Sequence, residues 1–208
     1  MAPGDPVILT AVPDASVRGS YAEYTTVPAS RVLARPAGLG VVESAAIWVA
    51  CSTAYGALVE KATTRPGDHV LITAASGSVG RAAVQIANQI GAVPIAVTRH
   101  AAKEDDLLTA GAAAVVATDH ADIAEAVRHH TGGNGADILL DLVWGPGLQD
   151  LVDAARPGAT VIAGKKIVVT VWAVLHGSGV SGRNLSADTV AVSGSPGQTG
   201  RRLRSPPS

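Results

Sequence analysis

The chain has 208 residues, enough for one ordinary domain with a sizeable buried core. Its 47% hydrophobic and 16% charged content, with no Phe, predicts a soluble globular protein whose core is built from Ala and Val. A formal net charge of −1 argues against a nucleic-acid partner, and the single cysteine, Cys51, excludes an internal disulfide or a cysteine-rich metal site. The opening MAPGDPVILTAVPDAS lacks a basic segment followed by a long apolar one, so no secretory signal is expected. No apolar run approaches the ~20 residues that span a bilayer. The expected compartment is the cytoplasm, with no membrane partner.

Residues 1–43 are short apolar pieces broken by turns. Val7 to Val12, Tyr21 to Val27 and Val32 to Ala34 read as strands, too few to close a barrel alone. Residues 44–61 carry apolar positions at Ala45, Trp48, Val49, Ala54 and Leu58 and read as one interrupted helix capped by Ser44. Thr64 to Asp68 is a turn into the next strand.

The organising stretch is HVLITAASGSVGRAAVQIANQI, residues 69–90. An apolar run passes into small residues, and Val79, Ala83, Ile86, Ala87 and Ile90 then recur at helical spacing, which is the opening of a βαβ unit. Ser76, Gly77 and Ser78 make the turn, where backbone N–H groups and a helix N-terminus suit a phosphate. Gly80 permits close helix–strand contact. The spacing Ala75-x-Gly77-x-x-Gly80 matches the dinucleotide fingerprint with Ala in the first place.

The alternation then continues. Val93 to Val97, Ala114 to Ala117, Ala136 to Asp141 and Ala159 to Ala163 read as strands, with helices over 101–110, 121–130 and near 148–155. This predicts a doubly wound parallel sheet of about five strands in the order 3-2-1-4-5. Ile167 to Val171 is strongly β-forming, and the Ser-, Gly-, Arg- and Pro-rich remainder reads as a disordered tail.

Thr98-Arg99-His100 ends the second strand of this series, 19 residues past Gly80. An NAD site would place an acid there; Arg99 and, one turn on, Lys103 suit the 2′-phosphate of NADP(H) instead. The alternative is two ordinary surface cations. Asp141, with Leu142, Val143 and Gly145, reads either as a cofactor-pocket wall or as a solvated strand end. The six histidines and Cys51 assemble no ligand set for a catalytic zinc. Cys51 has no base near it in sequence and reads as a small core residue. No side chain is assigned a catalytic role.

TAYGAL (53–58), RPGDHVLITAASGSVGRAAVQIA (65–87), TGGNGAD (131–137) and DLVWGPG (141–147) resemble the medium-chain dehydrogenase/reductase superfamily, and within it the zinc-independent quinone oxidoreductases related to zeta-crystallin. The resemblance implies NADPH-dependent, metal-free hydride transfer to a quinone or another activated alkene or carbonyl, by a dimer or tetramer. It places Thr53 near the nicotinamide and Gly77, Val79 and Gly80 at the pyrophosphate. Arg99 and Lys103 fall at the 2′-phosphate, and Thr118 where relatives contact adenosine. It also makes 1–43 a remnant of a GroES-like catalytic domain, 44–164 the NAD(P)-binding domain, and 165–208 one strand followed by a tail. Relatives begin with a longer β-rich segment and have more sheet after Gly164, so the expectation is an internally deleted chain. A competing expectation follows: an inactive fragment that at most binds NADP(H).

Overall fold

A computed structural model describes residues 2–10, 22–145 and 147–163, and the backbone of 189–191. Strands β1 (Val7–Leu9) and β2 (Val32–Ala34) form a two-stranded antiparallel sheet, with Ile8 opposite Leu33. Residues 22–27 are not a strand, so the strand expected from Tyr21 to Val27 does not form there. Among the described residues no strand pairs with that segment, and β propensity without a partner leaves the backbone unpaired. Ile167 to Val171 and the tail from Trp172 lie outside the described residues, apart from the backbone of 189–191.

Helix α1 (Val41–Tyr55) starts on Gly40 and continues as a π-helical turn, Gly56–Lys61. Ser44 is therefore not its cap. It sits inside the first turn, and its hydroxyl donates to the Gly40 carbonyl at 2.6 Å. The buried stripe of this helix is Ser44, Ala50, Thr53, Ala54, Ala57 and Leu58, whereas Ala45 and Val49 of the expected stripe are exposed and Trp48 is half-buried. Almost every position here is apolar, so periodicity could not fix the inward face. Packing fixed it instead, by choosing the small residues that let α1 lie close to helix α2 (Ser78–Ile90). The combined 21-residue helix Val41–Lys61 is apolar enough, at mean hydropathy 1.3, to cross a bilayer by length and composition. That exceeds the sequence expectation of no such run. Its burial of Ala54, Ala57 and Leu58 against α2 is the behaviour of a core helix.

The main sheet follows the expected alternation. Strands β3 (His69–Ile72), β4 (Val93–Thr98), β5 (Ala114–Ala117), β6 (Ala136–Asp141) and β7 (Ala155–Ala163) are parallel, in spatial order β5-β4-β3-β6-β7. A short strand β8 (Thr189–Ala191) runs antiparallel along β7 at the edge. Connecting helices are α3 (Glu104–Thr109), α4 (Ile123–His130) and α5 (Leu148–Asp153). Two apolar clusters cover the sheet faces: Leu58, Val84 and Ile72 with the alanines of α1 and α2 on one, and Leu71, Ile95, Val116, Val127 and Leu139 on the other. Burial on both faces explains why these strands read as continuous apolar runs without alternation.

Three features anchor this order. β3 is paired on both sides, to β4 and to β6, so the reversal of strand order falls between β3 and β6. At the opposite end of the strands, the Asp137 carboxylate accepts from the His69 backbone N–H at 2.7 Å and pairs with Arg156, tying the starts of β3, β6 and β7 together. Gly80 lets α2 descend onto the sheet: a Cβ there would lie 2.5 Å from the Ala74 carbonyl oxygen and 2.6 Å from Ala75 Cα. Backbone atoms cannot swing aside. Gly80→Ala is therefore expected to destabilise the chain by about 3 kcal/mol, measured by urea unfolding, and a change within experimental error would contradict this close approach.

Candidate nucleotide-binding site

The strand ends converge on a cleft of about 710 Å³ at the reversal of strand order, which is where open α/β sheets bind ligands. Its floor is the turn from β3 into α2, with Thr73, Ala74, Ser76 and Gly77. The ends of β4 and β5 form one wall, with Thr98, Arg99, His100, Lys103 and Thr118; the loop after β6 and the start of α5 form the other, with Asp141, Val143, Trp144, Gly145 and Asp150.

The turn has a conformation that the sequence spacing misplaced. Ala74, not Ala75, takes the left-handed backbone, with φ +46°, and its carbonyl accepts from the Gly77 N–H at 2.9 Å. Ala75 is fully buried beneath Gly80. The residue that glycine would suit in this turn is thus Ala74, one place earlier than the Ala75-x-Gly77 spacing implied. Gly77 then caps α2 with no side chain, in contrast to α4, where the Asp122 carboxylate accepts from the Glu125 N–H at 2.8 Å. Among the described residues nothing takes up the first-turn amides of Ser78, Val79 and Gly80, so this end of α2 is left with open donors and its share of helix dipole. Ser78, Val79 and Gly80 are not among the residues that line the cleft; any contact from them would be through the backbone N–H groups at the start of α2.

Asp141 is 2% exposed, which removes the solvated strand end as a reading. Its Oδ1 accepts from the Thr73 hydroxyl at 2.8 Å and from the Val143 N–H at 3.0 Å, while Oδ2 accepts from the Trp144 N–H at 3.2 Å. Thr73 Oγ1 in turn accepts from the Leu142 N–H at 2.7 Å. One carboxylate and one hydroxyl thereby fasten the 142–144 loop to the ends of β3 and β6. Sequence reasoning missed Thr73; the available signal was a hydroxyl at the end of one strand and an acid at the end of another strand of the same parallel sheet.

Arg99 and Lys103 share the β4–β5 wall, and among the described residues neither forms an ion pair. By contrast, Arg81 of α2 pairs with Asp106 of α3 and Arg156 pairs with Asp137, while His100 Nδ1 lies 3.6 Å from Asp119 Oδ2. Thr118 stands beside them, its N–H bonded to the Thr98 carbonyl at 3.0 Å. Thr53 lies elsewhere, buried within α1 and away from the cleft lining. Leu142 is also outside the lining and packs against the core. Burial pushes the Cys51 thiol up from its ordinary value, which favours the unreactive thiol over the thiolate and suits a core residue.

The fold and cleft define a Rossmann-type dinucleotide-binding domain. Residues 78–195 match the family model described as zinc-binding dehydrogenase, and the chain belongs to that family, within the medium-chain dehydrogenase/reductase superfamily. Among curated proteins it is 34% identical over 152 residues to a mycocerosic acid synthase-like polyketide synthase of Mycobacterium tuberculosis, covering 73% of this chain and 7% of that protein. Three solved structures are similar. An NAD-dependent alcohol dehydrogenase has 32% identity and a TM-score of 0.67, over 74% of this chain and 48% of the other. A putative NADPH:quinone reductase from Bacillus thuringiensis has 28% identity and a TM-score of 0.65, over 68% and 43%. The CurK enoyl reductase has 28% identity and a TM-score of 0.62, over 70% and 46%. The chain thus spans a small part of the curated relative and less than half of each of these structures. The family description implies zinc, yet among the described residues no group of three or more His, Cys, Asp or Glu is placed to hold a metal ion. These residues do not fit a zinc site.

Two substitutions test the site's framework. Ala74→Gly is expected to raise stability by about 1 kcal/mol, because a non-glycine residue in the left-handed region carries a cost that glycine lacks; no gain in the urea midpoint would contradict the turn conformation. Thr73→Val removes a donor from the buried Asp141 carboxylate and an acceptor from the Leu142 N–H. It should cost about 2–4 kcal/mol, and a loss under 1 kcal/mol would show that water replaces both bonds.

Proposed function

We propose that the chain binds NADPH in this cleft and derives from a reductase that passes hydride from the nicotinamide to an activated alkene, such as a quinone or enone, without a metal. The observation that carries the cofactor assignment is the pair of cations, Arg99 and Lys103, without an ion-pair partner among the described residues, in a cleft whose floor includes Ser76 and Gly77, the turn into the uncapped end of α2. An acid at that strand end would hold a ribose 2′-hydroxyl; two cations suit the charge of a 2′-phosphate. The pyrophosphate is placed against the amides of Ser78, Val79 and Gly80, with Ser76 and Gly77 as the floor that lets it approach. Thr118 borders the adenosine, and the loop held by Asp141 borders the nicotinamide.

The bound nicotinamide supplies the hydride; the residues described here bind and orient it. The similarity to solved structures of a quinone reductase and an enoyl reductase supports a conjugated acceptor. A second reading, nucleotide binding without appreciable turnover, is favoured by one observation. Val143 and Trp144 on the nicotinamide side are 65% and 55% exposed, so the described residues leave that side open to water. Hydride transfer benefits from a site that excludes water, and we expect only weak quinone-dependent NADPH oxidation by the 208-residue chain. Robust turnover would overturn the binding-only reading.

The cofactor preference has a direct test. Arg99→Asp is expected to weaken NADPH binding roughly thirtyfold while changing NADH binding by less than about threefold. Equal losses for the two cofactors would remove the 2′-phosphate role.

A further inference from the structure

We infer that Trp144 is the stacking face for the nicotinamide ring, an assignment that rests on the NADPH reading above. Trp144 is 55% exposed and lines the cleft. Among the described residues its indole stacks on no other ring. An indole in the lining of a cleft offers a flat apolar face on which a planar ring can stack. Its backbone is the unusual feature, because φ is +52°, a left-handed conformation that a bulky residue rarely adopts. The conformation is held by the buried Asp141 carboxylate, which accepts the Trp144 N–H at 3.2 Å, with the Thr73 hydroxyl fixing that carboxylate from the other side. Strain maintained by a buried hydrogen-bonded group is characteristic of ligand clamps. Here it holds an indole at the mouth of the cleft.

The charge of the cleft decides which ring it meets. Arg99 and Lys103 lie on the β4–β5 wall, and the Ser76–Gly77 turn into α2 lies on the floor. The β6–α5 wall carries the Asp150 carboxylate instead. A 2′-phosphate is attracted to the first wall and repelled by the second, so adenosine lies towards β4 and β5 and the nicotinamide towards Trp144. The nicotinamide becomes cationic on oxidation, and an indole face beside a carboxylate accommodates that charge. Sequence placed Val143 and Gly145 on this wall; Trp144 between them is the side chain able to stack.

The test uses the full chain with two probes, NADPH and adenosine 2′,5′-bisphosphate, which carries the cationic-wall contacts but no nicotinamide. Trp144→Ala is expected to weaken NADPH binding roughly tenfold and to leave bisphosphate binding within twofold. Trp144→Phe, which keeps a ring at the same position, should retain NADPH affinity within about threefold. Arg99→Asp should weaken both probes. An unchanged NADPH affinity in Trp144→Ala would overturn the assignment, and so would equal losses for both probes, which would mean that the loop shapes the whole cleft. If the unsubstituted chain bound the bisphosphate but not NADPH, the nicotinamide-side assignment would fall while the cationic wall stood. If it bound neither, the cofactor reading would fail and this assignment with it.

Discussion

The hydrogen bond between the Thr73 hydroxyl and the Asp141 carboxylate, at 2.8 Å, is the constraint on which the cleft depends. These residues end the two strands that flank the reversal of strand order, and parallel strands diverge there towards helices on opposite faces. A crevice at that point is open by topology, but its shape depends on what holds the two strand ends. Asp141 is buried, and a buried carboxylate persists only where donors surround it. Thr73, Val143 and Trp144 supply them, and the Thr73 oxygen extends the network to the Leu142 N–H. The loop that forms one wall of the cleft is therefore fixed by the same atoms that join β3 to β6.

The remainder of the site is charge and backbone. Gly80 allows α2 to approach the sheet closely, Gly77 leaves its end uncapped, and Ala74 absorbs the left-handed turn that brings the chain round. Two cations stand on one wall and a carboxylate on the other. NADPH is itself asymmetric, with its extra phosphate at one end and a ring that becomes cationic at the other, so on the proposed reading a cleft of this polarity would orient it as well as bind it. The apolar clusters on the two faces of the sheet contribute stability and rigidity rather than chemistry.

The order of the five parallel strands was legible because each is an apolar run of four to six residues bounded by turns and helices, and because right-handed crossovers leave few arrangements. The glycine turn from β3 into α2 and the basic end of β4 were legible for the same reason: motif and spacing act locally. What was not legible depended on distant partners. The inward face of α1 could not be read where nearly every residue is apolar. Tyr21 to Val27 has strand composition but, over 22–27, no partner strand among the described residues. Thr73 has meaning only once β3 and β6 are known to be neighbours. The left-handed residue was displaced by one because a fingerprint read as spacing does not reveal which of two adjacent alanines, Ala74 or Ala75, makes the turn. Thr53, placed near the nicotinamide by resemblance alone, lies buried in α1 and does not line the cleft.

On the proposed reading this cleft holds a nicotinamide dinucleotide by its phosphates, with the 2′-phosphate of NADPH on the β4–β5 wall. A calorimetric titration of the 208-residue chain with NADPH and with NADH tests it most directly. Saturable binding of one cofactor per chain is expected, tighter for NADPH by at least about tenfold. No binding of either cofactor, or equal or tighter binding of NADH, would contradict it.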